Sequence, residues 1–212
     1  NYSKRIDQIR NLTNFESVIR TNSPFNSGFA DETVSANGRF QRRFGKLQAS
    51  VNGNFNYSKF NQFIQGIRSV NENYSHNYGA ELRTNFRDAP NVQLNYRYGI
   101  QDSDQGSTRS KFYTKTPSIE VDALILKTFT FRADYAYNNF SNNDRTLNDY
   151  QFLNASLAYR KNKDAKLEYE VKATNLLNTT SQSQSNTSNI SVSATEYFIQ
   201  PRFVTFRVIY SL

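Results

Sequence analysis

The sequence predicts an all-β chain: an antiparallel meander of the transmembrane β-barrel kind (outer-membrane type), with about nine strands of a larger barrel. Three observations lead there. Long stretches alternate apolar and polar residues with period two, the mark of a strand whose two faces meet different media. The composition suits neither a soluble core nor disorder: 37% of the 212 residues are hydrophobic, yet 15% are aromatic, and 27 are Asn. Short turns and long polar segments alternate along the chain.

The composition also excludes classes. A soluble domain carries about 45–50% apolar residues, and mean hydropathy here is −0.75. Disordered chains are poor in aromatics, whereas this one has 17 Phe and 14 Tyr. Asn, Gly, Tyr and Phe are mediocre helix formers. The absence of Cys removes disulfides, thiol nucleophiles and cysteine-ligated metals. No run reaches the roughly 18 apolar residues of a membrane helix, but a barrel strand needs only alternate apolar positions. The chain starts at Asn1 and lacks Met, so a mature, trimmed or partial chain is expected, and no signal peptide is visible.

Residues 1–31 are expected to form an extracellular loop or irregular segment. Ile6, Ile9, Leu12, Phe15 and Val18 recur every three residues and admit a short helix, whereas Pro24 and Gly28 mark loop. Residues 32–212 form the strands. Val34, Ala36, Gly38 and Phe40 share one face of the first. Leu47, Ala49, Val51, Gly53, Phe55 and Tyr57 then alternate with Gln48, Ser50, Asn52, Asn54, Asn56 and Ser58. That strand is roughly 40 Å long at about 3.4 Å per residue, longer than most globular strands. The next alternation runs from Tyr74 through His76, Tyr78, Ala80 and Leu82 to Phe86. Another joins Val92, Leu94, Tyr96, Tyr98 and Ile100. Ile119 to Ile125, Phe129 to Tyr137, Leu153 to Tyr159, Leu167 to Ala173 and Val204 to Leu212 complete the set.

Short turns are expected at Gly45-Lys46, Asp88–Asn91, Leu126-Lys127 and Arg160–Lys166, and long loops at Lys59–Asn73, Asp102–Pro117, Asn138–Tyr150 and Leu176–Glu196. Outer-membrane barrels sort their connections this way, with short turns periplasmic and long loops extracellular. The first clear strand and the last both run toward the short-turn side, which gives an odd count. Single-chain bacterial barrels have an even count, so further strands are expected beyond these.

The C-terminal region resembles the TonB-dependent transporter barrels of bacterial outer membranes. The resemblance rests on Val171-Lys172-Ala173-Thr174-Asn175-Leu176-Leu177-Asn178, close to that family's asparagine-leucine-phenylalanine-asparagine motif, on the long polar loop that follows, and on the alternating final strand. The Asn- and Tyr-rich style resembles the Bacteroidetes branch. Leu177 stands where the family has Phe, and the final residue is Leu212 where an aromatic is commonest. Nothing resembles the plug domain or the TonB box. The resemblance implies energised uptake of a siderophore, glycan or peptide, with no catalysis and no cofactor. It implies as partners outer-membrane lipid, a plug and N-terminal strands absent from this chain, the TonB complex and the outer-membrane assembly machinery, and it leaves room for a surface lipoprotein lid. Phe206, Val208, Tyr210 and Leu212 would form the assembly signal. Two other classes stay open: a non-transporting barrel that scaffolds a secretion or surface complex, and a soluble β-rich adhesin or glycan-binding module.

Net charge is +8 and pI about 9.6. Nucleic-acid binding would need cations and aromatics on one surface, but here they fall on opposite faces. Glu81, Arg83, Arg87, Arg97, Arg132, Asp134, Glu168, Glu170 and Arg207 are instead expected to line a wet lumen, whose positive balance would favour anionic solutes. Glu168 and Glu170 share a face about 7 Å apart, a spacing also compatible with glycoside hydrolysis; ion pairing in the lumen is the simpler expectation. Asp102-Ser103-Asp104-Gln105-Gly106 resembles a calcium loop, but its Gly stands at the fifth position and not the sixth. His76, the only histidine, cannot build a metal cluster and suits a headgroup-level anchor. The Asn178-Thr179-Thr180 and Asn186-Thr187-Ser188 sequons are uninformative in so Asn-rich a chain. Aromatics are expected at both membrane edges: Phe40, Phe44, Phe86, Phe129 and Tyr159 near short turns, and Tyr57, Tyr74, Tyr98 and Tyr137 near long loops.

Overall fold

A computed structural model describes the chain apart from residues 6–8, 17–18, 27, 65, 88–89, 105–108, 144, 163, 188–191 and 212. The described residues form fourteen strands and no helix: β1 Tyr2–Arg5, β2 Ile9–Glu16, β3 Ile19–Asn26, β4 Asp31–Phe44, β5 Leu47–Ile64, β6 Ile67–Thr84, β7 Asn91–Asp104, β8 Arg109–Ile125, β9 Phe129–Asn142, β10 Thr146–Arg160, β11 Leu167–Thr174, β12 Ser181–Thr187, β13 Val192–Phe198 and β14 Phe203–Tyr210. Twelve belong to one sheet. β4 to β11 lie side by side in chain order and β14 follows β11, all antiparallel, with β1 on the far side of β4. The β2–β3 hairpin meets the top of β5 through a short parallel contact, Leu12 opposite Phe63 and Thr13 opposite Ile64. β12 and β13 form a separate ribbon. The path ends at β1 and β14, so the sheet is open.

The nine alternating segments are β4 to β11 and β14. The other five strands lie in segments expected to be loops, and they correct that expectation. Residues 1–31, read as loop with a possible helix, hold three strands. Ile6 and Val18 of the period-three pattern lie outside the described residues, and Ile9, Leu12 and Phe15 fall in β2, which pairs along its full length with β3. Apolar spacing by itself did not supply helix formers, and the neighbouring strand β3 offered a ladder for the same backbone groups.

The long loops are corrected in the same way. The β5–β6 ladder continues to Ile64 opposite Ile67, β7–β8 to Asp104 opposite Arg109, and β9–β10 to Ser141 opposite Thr146. Alternation stops before the strands do, because polar side chains occupy both faces there. Backbone pairing needs only N–H and C=O groups and persists without a hydropathy signal.

Directly opposite residues share a face. One row crosses the sheet as Phe40, Val51, Ala80, Tyr96 and Pro117; the next as Gln41, Ser50, Glu81, Asn95 and Ser118. In the lower half of β5 exposure is inverted relative to a soluble sheet. Leu47 and Val51 are 37% and 53% exposed, whereas the intervening Gln48 and Ser50 are 8% and 7% exposed. Among the described residues the only buried hydrophobic side chains are Phe112 and Ala123. The apolar face is uncovered; the polar face is buried at Gln48, Ser50 and Glu170 and open at Asn52, Arg97, Asp122 and Arg132.

Candidate functional site

The polar face collects most of the predicted lining residues. Glu81 and Arg83 of β6, Arg97 of β7, Arg132 and Asp134 of β9, Glu168 and Glu170 of β11 and Arg207 of β14 share it by register. Arg87 does not; it lies past the end of β6, exposed in the connection to β7.

Three cross-strand ion pairs organise this face. Arg132 Nε reaches Asp122 at 2.8 Å, Arg160 reaches Glu168 at 2.9 Å, and Arg207 donates to Glu170. Each partner stands directly opposite its mate, which is why the strand period selects it. Glu168 and Glu170 therefore each hold their own guanidinium, and do not form a free carboxylate pair. Glu120, Asp122 and Arg160 were missed by sequence reasoning. Their even positions share parity with Ser118 and Asn154, and this register signal could have found them. Arg83, Gln93, Glu120, Asp122, Arg132 and Asp134 border a cleft of about 470 Å³ on this face. Arg83 Nε is buried there without a hydrogen-bond partner. Asp134 accepts from Asn154 at 2.8 Å.

The apolar face carries rings at two levels. Near the short turns, Phe129 packs on Tyr159 at 5.0 Å and Tyr169 on Phe206 at 6.3 Å between centroids. Near the other edge, Tyr57 packs on Tyr74 at 4.8 Å, Phe55 on His76 at 4.9 Å and Tyr98 on Tyr113 at 6.3 Å. His76 Nδ1 also lies 3.3 Å from the Tyr78 hydroxyl, so the histidine is a member of an aromatic row. Between the two levels lie Ala49, Ala80, Leu82, Leu94, Ile119, Val121, Ala133 and Ala155, joined by register.

At the outer margin of the upper rings, directly opposite Tyr74, Asp102 is held by both Nε and Nη2 of Arg109, at 3.0 and 2.8 Å. That guanidinium keeps the Asp102 carboxyl below its ordinary value, against burial, which pushes it up. Asp102, Ser103 and Asp104 thus extend β7 and do not fold into a cation loop. Gln105 and Gly106 lie outside the described residues.

The motif residue Asn175 closes β11. It adopts a left-handed φ of 53° and is 2% exposed. Its backbone N–H donates to Asn154 Oδ1, its side-chain amide donates to the carbonyls of Thr179 and Gln200, and its Oδ1 accepts from the Thr179 N–H. Asn178 repeats the left-handed turn at 55° and accepts from the Arg202 N–H. Short amide side chains tolerate this conformation, so both asparagines of the motif have a backbone reason. Of the expected assembly signal, Phe206, Val208 and Tyr210 alternate outward on the edge strand β14, and Leu212 lies outside the described residues.

No protein-family model matches the chain, and no curated protein or solved structure matches it.

Proposed function

We propose that this chain forms part of the wall of an outer-membrane β-barrel, as the C-terminal portion of a TonB-dependent transporter that imports a nutrient. The observation that carries the membrane half is the two-sided sheet: a continuous apolar face left uncovered, opposite a charged face whose carboxylates and guanidinia pair across strands. A soluble monomer rarely leaves an apolar patch beyond a few hundred Å² open to water; lipid removes that cost. The dimensions agree. The outward residues Leu47 to Tyr57 of β5 are ten steps apart, about 34 Å along the strand. At a tilt of about 40° this spans roughly 26 Å, close to the apolar band of such barrels. The transporter half rests on the resemblance at residues 171–178 and 203–212. On this reading residues 1–31 and the polar hairpin ends face outside, and Arg97, Arg132, Asp134 and their partners wet the lumen.

The test is extraction and assembly. The chain should leave membranes only with detergent and shift mobility on heating. Phe206→Asp should reduce the heat-modifiable form, and Tyr210→Asp, nearer the edge of the apolar band, should reduce it less, because a carboxylate on the lipid face costs less than the roughly 2–4 kcal/mol of a midplane Arg or Lys and least near the edges. Release by buffer or salt would favour the soluble adhesin instead, and full assembly of both variants would refute the assignment of β14. Loss of uptake of the cognate nutrient on deleting residues 203–212 would support the transporter half.

A further inference from the structure

The net positive charge of the chain is concentrated at one edge. Segments 42–47, 83–91, 125–129 and 160–168 contain ten of the 26 Lys and Arg residues and three of the 18 Asp and Glu residues, so seven of the eight net positive charges fall there. Asp88 and Lys163 enter that count from the sequence alone. These segments are the hairpin connections β4–β5, β6–β7, β8–β9 and β10–β11, which the meander brings to the same edge. The edge is continuous: the Asn85 N–H donates to the Lys46 carbonyl at 2.7 Å, Arg160 N–H to the Thr128 carbonyl at 2.9 Å, and Ser211 N–H to the Lys166 carbonyl at 2.8 Å.

Arg42, Arg43, Lys46, Arg87, Lys127, Lys161 and Lys166 are exposed along it. Arg207, Arg132 and Arg160 sit on the polar face with their carboxylates, but none of these seven has an ion pair with a described residue. Two lean on rings of the apolar face: the Arg42 guanidinium lies 5.1 Å from the Phe44 centroid, and Lys166 Nζ 6.0 Å from that of Tyr210. Cations whose stems follow an aromatic row to the edge of an apolar band sit at headgroup depth.

We propose that this short-turn edge is an anionic-phospholipid contact: a row of exposed Lys and Arg, without ion pairs among the described residues, that binds the phosphate and headgroup charge of the adjoining leaflet and fixes the depth of the sheet. The inference rests on the membrane reading above. It also moves the chain's charge from the lumen, where cations and carboxylates pair, to the membrane surface. An acidic protein would meet the same cations, but the rings directly behind them favour a surface that is anionic at one level and apolar at the next.

The test dilutes the full chain from detergent onto phosphatidylcholine vesicles with and without about one third phosphatidylglycerol, and measures flotation. The wild-type chain should partition at least tenfold more strongly onto the anionic vesicles, since each basic residue at such a surface strengthens binding about fivefold, and 0.5 M salt should erase the difference by screening. Lys46→Gln/Lys127→Gln/Lys161→Gln should lose most of the preference while still floating with phosphatidylcholine. Arg5→Gln/Arg145→Gln/Arg202→Gln, which removes equal charge from the opposite edge, should keep it. Equal wild-type partitioning onto both vesicles would overturn the proposal and leave the edge to an acidic protein partner. Equal loss in both triple variants would overturn it in favour of overall charge. Failure of the wild-type chain to float with either vesicle would overturn the membrane reading itself.

Discussion

Asn175 carries more of the local architecture than any apolar residue near it. Its amide joins the end of β11 to Thr179 and to Gln200, just before β14 begins. Asn175→Ala should cost about 3 kcal/mol from three lost side-chain bonds at roughly 1 kcal/mol each. Asn175→Gly loses the same bonds but keeps the left-handed backbone, so it should be less damaging than Ala by about 1 kcal/mol. Urea midpoints in detergent would rank the three, and an unchanged midpoint for Ala would show that the turn is held elsewhere. Asp102 gives a pH prediction. Its carboxyl is lowered from the ordinary 3.8, first by the hydrogen bond from Arg109. A depressed carboxyl contributes stability above its unfolded value and loses it as pH falls through the folded one. The end of the β7–β8 hairpin should therefore loosen only below about pH 4. Carbon-detected titration should place the Asp102 midpoint below 3.8, and Arg109→Gln should raise it; no movement would detach the carboxyl from that guanidinium.

At the scale of elements, turn chemistry and strand ends behave differently. The β8–β9 turn puts Leu126 and Lys127 at φ of 52° and 61°, with Thr128 N–H donating to the Ile125 carbonyl. Two positive φ values are the signature of a type I′ hairpin turn, which favours Asn and Gly. Leu126 is exposed, so Leu126→Asn should relieve strain and raise stability by about 1 kcal/mol; a lowered denaturation midpoint would mean that Leu126 makes a membrane contact worth more than the strain. The turn's position was legible, because the apolar alternation of Ile119 to Ile125 is broken by Leu126-Lys127 and resumes at Phe129. The upper strand ends were not. From Lys59 to Asn73 polar residues such as Asn61, Gln62 and Asn71 point both ways, so hydropathy is silent, yet Asn61 and Asn71 are buried and hydrogen-bonded to Arg68 and Gln62. Polar side chains there pack through amide bonds, which leave no periodic trace.

At the scale of the whole molecule, the first and last of the nine meander strands, β4 and β14, run in the same direction, and β1 covers only the Asp31–Val34 end of β4. They cannot close the sheet by antiparallel pairing with each other. Because the chain has no Cys, this can be checked by oxidation of introduced pairs. Ala133→Cys/Ala155→Cys, directly opposite in the register, should cross-link readily, whereas Phe40→Cys/Phe206→Cys should not. A high yield for the second pair would mean that β4 and β14 meet.

Sequence alone determined the strands of the apolar band, the parity of each face and the turns between them, because a period of two records which side of a strand meets which medium. It also determined that Arg132, Asp134, Glu168, Glu170 and Arg207 share the polar face. Tertiary structure decided the pairings among them: Asp122 with Arg132 follows the register of the β8–β9 hairpin, and Glu170 with Arg207 joins strands separated by residues 175–202. It also decided that β1, β2, β3, β12 and β13 are strands. Where both faces are polar, only the neighbouring backbone says that a segment is extended. Above all it decided that seven exposed cations, without ion pairs among the described residues, gather at one edge. That gathering is a property of topology: four short connections distant in sequence become neighbours only when the sheet is assembled.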